Sequence, residues 1–220
     1  MAKLPAIIDL IAKHDTRSVP TITNYARVLR EAGYLPKGKR GRGAPDLHPL
    51  EVANLVIGLA GASDAVDAPH AVEVLKSAKL NPNLHLDGGN LALAKDELPH
   101  WSFHEQTESF GSFLASLLLE EPRRDDCPDD MVGVTNMSVT INEVARDAIF
   151  GSVEAYLDDG NQGFTIGFQS HHREDVERAL EEHGPEAFAG RSWGRSTWIG
   201  YNFFVDMSEL LLGGLDDDSS

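Results

Sequence analysis

Residues Val19 to Pro45 read VPTITNYARVLREAGYLPKGKRGRGAP, and this stretch decides the fold of the front of the chain. Ile22, Tyr25, Ala26, Leu29 and Ala32 recur at three- and four-residue intervals, which places them on one face of a helix over Val19–Ala32. Ser18 stands where an N-cap is needed. Pro20 falls in the first turn, where its missing N–H costs nothing, and Gly33 supplies a C-terminal stop. Beyond the stop, Lys37–Pro45 has the composition of a loop. Upstream, Leu4, Ile7, Ile8 and Ile11 space a second helix over Leu4–His14, and Asp15-Thr16-Arg17-Ser18 break it. Two short helices, a tight connection and a basic glycine-rich loop follow the order of a helix-turn-helix that is winged-helix-like.

The charge agrees with this order. Residues 1–45 contain nine Lys/Arg against three Asp/Glu, a charge of +6, whereas the whole chain carries −16; residues 46–220 therefore carry −22. A basic end on an acidic body suits a protein that meets a polyanion at one end and repels it elsewhere. The apolar face of the second helix leaves Thr21, Thr23, Asn24, Arg27 and Arg30 outward. Asn can pair with the adenine edge, Arg with both guanine acceptors, and Thr with phosphate or the thymine methyl. The loop adds Lys37, Lys39, Arg40 and Arg42 on a backbone that glycine lets pass close to phosphate, where the cations displace condensed counterions. An Arg in such a loop can also enter a narrow minor groove. The same outward residues also fit a solvated helix start, and KGKR a nuclear localisation signal. The loop lacks the terminal Gly-Lys-Ser/Thr of a nucleotide-binding loop.

The stretch Tyr25–Pro45, YARVLREAGYLPKGKRGRGAP, followed by an Ala/Leu-rich helix, resembles the N-terminal module of helix-turn-helix proteins from bacteriophages and prophages. The resemblance covers about a third of the chain. It implies a regulator or another phage DNA transaction, with Thr23, Asn24, Arg27 and Arg30 on the recognition helix and Lys37 to Arg42 on the wing.

Further on, His48–Gly61 reads as a third helix that is apolar over most of its circumference, as suits the centre of a helical core. Pro69–Leu80 reads as a fourth helix, and NPNLHLDGGN (81–90) as a boundary rich in turn formers. Thr107–Glu121 reads as another helix, before an acidic loop at Glu121–Asp130. The period then changes to two. Val139 and Ile141, then Ile149 to Ala155, then Phe164 to Phe168 alternate with their neighbours, and a turn sequence at Asp158–Gly163 separates the last two runs. This predicts a three-stranded antiparallel meander. A polar helix at His172–His183, a fourth strand at Thr197–Phe204, a closing helix at Val205–Leu212 and a solvated acidic tail complete the reading.

The expected fold class is α+β. A helical DNA-binding domain spans 1–80; a linker, helix and acidic loop span 81–130; and an antiparallel-sheet oligomerisation or sensing domain spans 131–220. No apolar run approaches the roughly 18 residues that cross a bilayer. The start of the chain does not resemble a secretory signal, and the lone Cys127 forms no internal disulfide. A cytoplasmic protein without a membrane association is expected.

Other candidate chemistry is weaker. His100 and His104 beside Glu105 have metal-ligand spacing if helical, but Pro99 precedes them and no further ligands follow. The Asp125–Asp130 cluster lacks the pattern of a calcium loop, and its carboxylates disfavour the Cys127 thiolate. His171-His172 reads as a polar helix start. Ser192 and Ser196 have no nucleophile-elbow context. Trp193, Trp198 and Tyr201 are expected in the core. No cofactor, metal or catalytic residue is expected.

The leading function expected is a sequence-specific DNA-binding transcriptional regulator acting on double-stranded DNA. A homo-oligomer is expected, a dimer being favoured because it holds two recognition helices about one turn of DNA apart. The alternatives are a phage DNA-packaging recognition subunit, of the small-terminase kind, and an inhibitor whose acidic C-terminal domain binds a protein partner by mimicking DNA charge.

Overall fold

A computed structural model describes residues 2–38, 45–80, 109–119, 134–145, 148–157, 163–169 and 195–213. Helix α1 (Leu4–His14) buries Ile7, Ile8, Leu10 and Ile11, the stripe that its spacing predicts. Helix α2 (Val19–Glu31) buries Ile22, Tyr25, Ala26 and Leu29. Its start is capped by Ser18, whose Oγ accepts from the Thr21 amide at 3.4 Å. Its end is a Schellman motif. The Gly33 amide donates to the Arg30 carbonyl at 3.1 Å and the Tyr34 amide to the Leu29 carbonyl at 2.9 Å. That reversal needs a left-handed residue, and Gly33 has φ 90°.

Helix α3 (Pro49–Gly61) is buried almost all round, as its composition predicts. Its first turn is closed by two bonds. The His48 amide donates to the Glu51 carboxylate at 2.7 Å, and His48 Nδ1 accepts from the Leu50 amide at 3.3 Å. Gly58 lies where α2 and α4 (Ala68–Lys76) close on α3: a Cβ there would stand 2.9 Å from Leu29 Cδ1. Helix α5 (Phe110–Leu117) packs on α3 and α4 and sends Phe110, Phe113 and Leu114 fully into the core. It is shorter than the expected Thr107–Glu121: Ser109 caps its start and Leu118 its end, while residues 107–108 and 120–121 fall outside the described residues.

Antiparallel strands β1 (Lys79–Leu80), β2 (Val134–Ala145), β3 (Ala148–Leu157), β4 (Gly163–Gln169) and β5 (Arg195–Gly200) form one sheet in the order β1-β4-β3-β2-β5. The β2-β3-β4 meander is the one that the period-two runs predict. Val139 pairs with Val153, and Val153 with Ile166, so like positions line up across the strands. Helix α6 (Tyr201–Gly213) follows β5 directly and packs on α1, β2 and β5. Buried side chains from Ala2 to Leu211 belong to one hydrophobic cluster, to which all six helices and β2 contribute. The chain is thus α+β, mostly helical among the described residues, with its helices against an antiparallel sheet.

Three sequence expectations are corrected. The fourth helix ends at Lys76 rather than Leu80, because Lys79 and Leu80 pair with Gln169 and Phe168 at the sheet edge. The final strand ends at Gly200 rather than Phe204. Phe203, Phe204, Met207 and Leu211 keep a helical spacing, and burying them together on α6 overrides the short alternation before them. Trp198 is not a core residue but 65% exposed. It sits opposite Thr140, between Thr197 and Ile199, whose partners Ile141 and Val139 are fully buried. Alternation along β5 therefore sends Trp198 to the face away from the helices. The expected helix at 172–183, the turn at 158–162, the boundary at 81–90, the acidic loop after 121 and the terminal tail lie outside the described residues.

Candidate nucleic-acid interface

The candidate surface is the outer face of α2, and its orientation is set by what holds the two ends of that helix. The connection before α2 is pinned by Arg17. Its guanidinium pairs with both oxygens of Asp15, donates from Nη1 to the Leu59 carbonyl at 2.6 Å, and lies over the Tyr25 ring with Cζ 5.3 Å from the centroid. Burial works against the Arg17 charge, but its bond and attraction to Asp15, aided by Tyr25, outweigh it and hold the pKa above the ordinary value. Leu59 belongs to the last turn of α3, whose carbonyls have no partner within the helix. Two other side chains serve the same end. Thr197 Oγ1 of β5 donates to the Ala60 carbonyl at 2.9 Å, and Tyr25 Oη donates to the Ala62 carbonyl at 3.1 Å. One helix end is closed by the α1–α2 connection, by α2 and by the sheet. A cation there also suits the negative end of the helix dipole.

The other end of α2 is held through Tyr34. Asn54 Nδ2 donates to the Tyr34 carbonyl at 3.2 Å, and Tyr34 Oη donates to the Glu73 carboxylate on α4. Lys76 stands 3.3 Å from the same carboxylate and 4.7 Å from the Tyr34 ring centroid. Partial burial and the Glu73 bond push the Tyr34 hydroxyl up to about 12. The bonds from Tyr34 and Lys76 lower the Glu73 pKa. Helix α1 is joined to α6 by His14 Nε2 and Asp206 Oδ2, 2.8 Å apart, with the His14 ring edge-on to Phe203.

Between these anchors Thr21, Thr23, Asn24 and Arg27 are exposed, and Arg30 is half-buried. Thr21 Oγ1 lies 3.0 Å from Ser18 Oγ, and Thr23 Oγ1 donates to the Val19 carbonyl at 2.7 Å. The single Thr23 hydroxyl proton is thus engaged in its own helix, so a phosphate contact by that group must displace this bond. Asn24 and Arg27 are brought together. Asn24 Oδ1 accepts from Arg27 Nε at 3.3 Å and Nη2 at 3.0 Å, and Arg27 Nη1 donates to Glu31 Oε1 at 2.6 Å. The Arg30 Nε is buried with no hydrogen-bond partner among the described residues. Lys37 is exposed, whereas Lys39, Arg40 and Arg42 lie outside the described residues. The downstream end of that loop is tied back to the start of the chain, where Leu47 N donates to the Ala2 carbonyl at 3.0 Å and Asp46 bridges Lys3.

Two contributors escaped sequence reasoning. Glu31 stands four residues after Arg27, a spacing at which helical ion pairs form, so the signal was in plain view. The reach of Arg17 to α3 gave none, because the Leu59 carbonyl lies forty-two residues away on another helix. His100, His104, Cys127, the Asp125–Asp130 cluster, Ser192 and Trp193 lie outside the described residues. Among the described residues no cluster of His, Cys, Asp or Glu is arranged to hold a metal ion, and no helix is long and apolar enough to cross a membrane. Comparison of the chain with protein-family models, with curated proteins and with solved structures finds no match.

Proposed function

We propose that the protein is a sequence-specific DNA-binding transcriptional regulator of the kind found in phages and prophages, which lays α2 in the major groove. One observation carries the reading. The helix is fixed at both ends, and its inner face is fully buried, yet its outer face leaves Thr21, Thr23, Asn24 and Arg27 exposed. A rigidly seated helix that presents an amide and a guanidinium is what base-edge readout requires. The Lys37–Arg42 segment, with its four cations, supplies the backbone contacts that set register. Two copies would hold two such helices on neighbouring half-sites, and the net charge of −22 over residues 46–220 would discourage non-specific retention.

The test is binding of the full chain to genomic fragments over a salt series, with light scattering of the free and bound protein. A regulator should select a few tight sites, lose affinity steeply as salt rises and scatter as an oligomer. Replacing Lys39 and Arg40 together should weaken all duplexes alike. No binding to any duplex at low salt would overturn the proposal and favour the acidic domain as the working surface. A ring larger than a dimer, bound to a motor, would favour packaging.

A further inference from the structure

The arrangement of Asn24, Arg27 and Glu31 carries a statement about which bases α2 meets. Adenine shows the major groove an acceptor at N7 and a donor at N6, so asparagine reads it with its oxygen and its amide nitrogen together. In this structure the Asn24 oxygen is turned towards Arg27 and accepts from both Nε and Nη2. The assignment of oxygen rather than nitrogen follows from chemistry, because a guanidinium offers only donors. What Asn24 has left to offer is its NH2 group. Among the described residues, Arg27 has given Nε and one N–H of Nη2 to Asn24 and one N–H of Nη1 to Glu31, which leaves one N–H on each terminal nitrogen. The pair is therefore a surface of donors. Guanine, with acceptors at N7 and O6, is its complement.

Resting on the DNA-binding reading above, we infer that Asn24 and Arg27 act as one unit that reads neighbouring guanines, with Glu31 as the positioning residue that aims the guanidinium. The two residues are three apart, an axial rise of about 4.5 Å against roughly 3.4 Å between stacked bases, so they can reach neighbouring base pairs. Guanine is met with the bonds of the unit intact, whereas adenine requires Asn24 Oδ1 to be withdrawn from Arg27. The exposed Arg27–Glu31 pair adds little to stability, so its role is orientation. Glu31 also places a carboxylate beside the phosphates, which lowers affinity for every sequence.

The test is selection of bound sites from a randomised duplex pool by the full chain and by N24D, R27A and E31Q, all at exposed positions. The wild type should enrich two adjacent guanines. R27A should flatten one of them and weaken the selected site about tenfold or more. N24D keeps the oxygen for Arg27 but loses both outward donors, and should flatten the other guanine. E31Q keeps an acceptor for Arg27 and loses the charge, so it should tighten selected and unselected duplexes alike. Enriched adenine at the position that N24D alters would overturn the inference while leaving DNA binding in place. So would guanines indifferent to both N24D and R27A, or binding without sequence preference. Absence of binding at low salt overturns the DNA reading itself.

Discussion

Arg17 and Arg27 lie ten residues apart at the front of the chain, each beside an acidic residue, and the fold treats them in opposite ways. Arg17 is half-buried. It is held by Asp15, by the Leu59 carbonyl and by the Tyr25 ring, and joins the α1–α2 connection to the end of α3. Arg27 is exposed, and its partners Asn24 and Glu31 both come from its own helix. A cation that crosses to another element contributes to the fold, because its removal breaks charge-assisted bonds that join two elements. A cation whose bonds stay within one exposed helix contributes little to the fold and remains open to an outside partner. Counting charges does not separate the two.

The comparison can be tested first through the core that both regions share. Phe204 is fully buried on α6, in the same cluster as Leu29 of α2 and Phe110 of α5. Phe204→Ala should cost about 3–5 kcal/mol. Denaturant unfolding followed by helix and by sheet signals should shift together. Separate transitions would mean that the front helices and the sheet fold as independent units.

The next effect is smaller. Arg17→Ala should destabilise by about 2 kcal/mol, since it removes the charge-assisted bonds to Asp15 and the bond to the Leu59 carbonyl that join the α1–α2 connection to α3, and should lower the melting temperature by roughly 4–8 °C. A loss below half a kcal/mol would place Arg17 with the solvated cations. Arg27→Ala should change stability by no more than about 0.5 kcal/mol. Its effect belongs to DNA, so a large drop in melting temperature without DNA would erase the distinction between the two arginines.

The smallest effect concerns pH. Tyr34 is raised from 10.0 to about 12, so its proton stays on longer in the folded protein than in the unfolded chain. The stabilisation from its bond to Glu73 is complete below pH 10 and is lost as pH rises through 12. Glu73 has the opposite sign, being lowered, and its contribution fades as pH falls below its ordinary value. The stability gap between wild type and Tyr34→Phe should therefore close between pH 10 and pH 12 in urea titrations. A gap constant over that range would detach the hydroxyl from α4.

Much of this architecture was legible because it depends on local periodicity. The stripes of α1 and α2, the all-round apolar α3, the Ser18 cap, the Gly33 stop and the β2-β3-β4 meander each follow from spacings within a dozen residues. Errors came where a local pattern met a tertiary demand. Lys79 and Leu80 were drawn from helix into strand by a partner some ninety residues later. Tyr201–Phe204 left the strand pattern because Phe203 and Phe204 are buried on α6. Trp198 went outward because the helices cover one face of β5 and alternation fixed which residues faced it. On the candidate site, the outward set Thr21, Thr23, Asn24 and Arg27 was legible from the inward one. That Thr23 bonds Val19 and Asn24 turns its oxygen to Arg27 was not, since periodicity says which way a side chain points and nothing about its hydrogen bonds.

By itself, then, the sequence determined the helical and strand periods, the face of α2 that is buried and the concentration of positive charge at the front, because each is a property of residues close together along the chain. Only the tertiary structure decided that Arg17, Tyr25 and Thr197 close the end of α3, that Tyr34 reaches Glu73 and that Arg27, among the described residues, bonds only within its own helix. Those outcomes depend on where distant carbonyls and carboxylates come to lie, and a carbonyl left open at a helix end is answered by whatever donor the fold brings within reach.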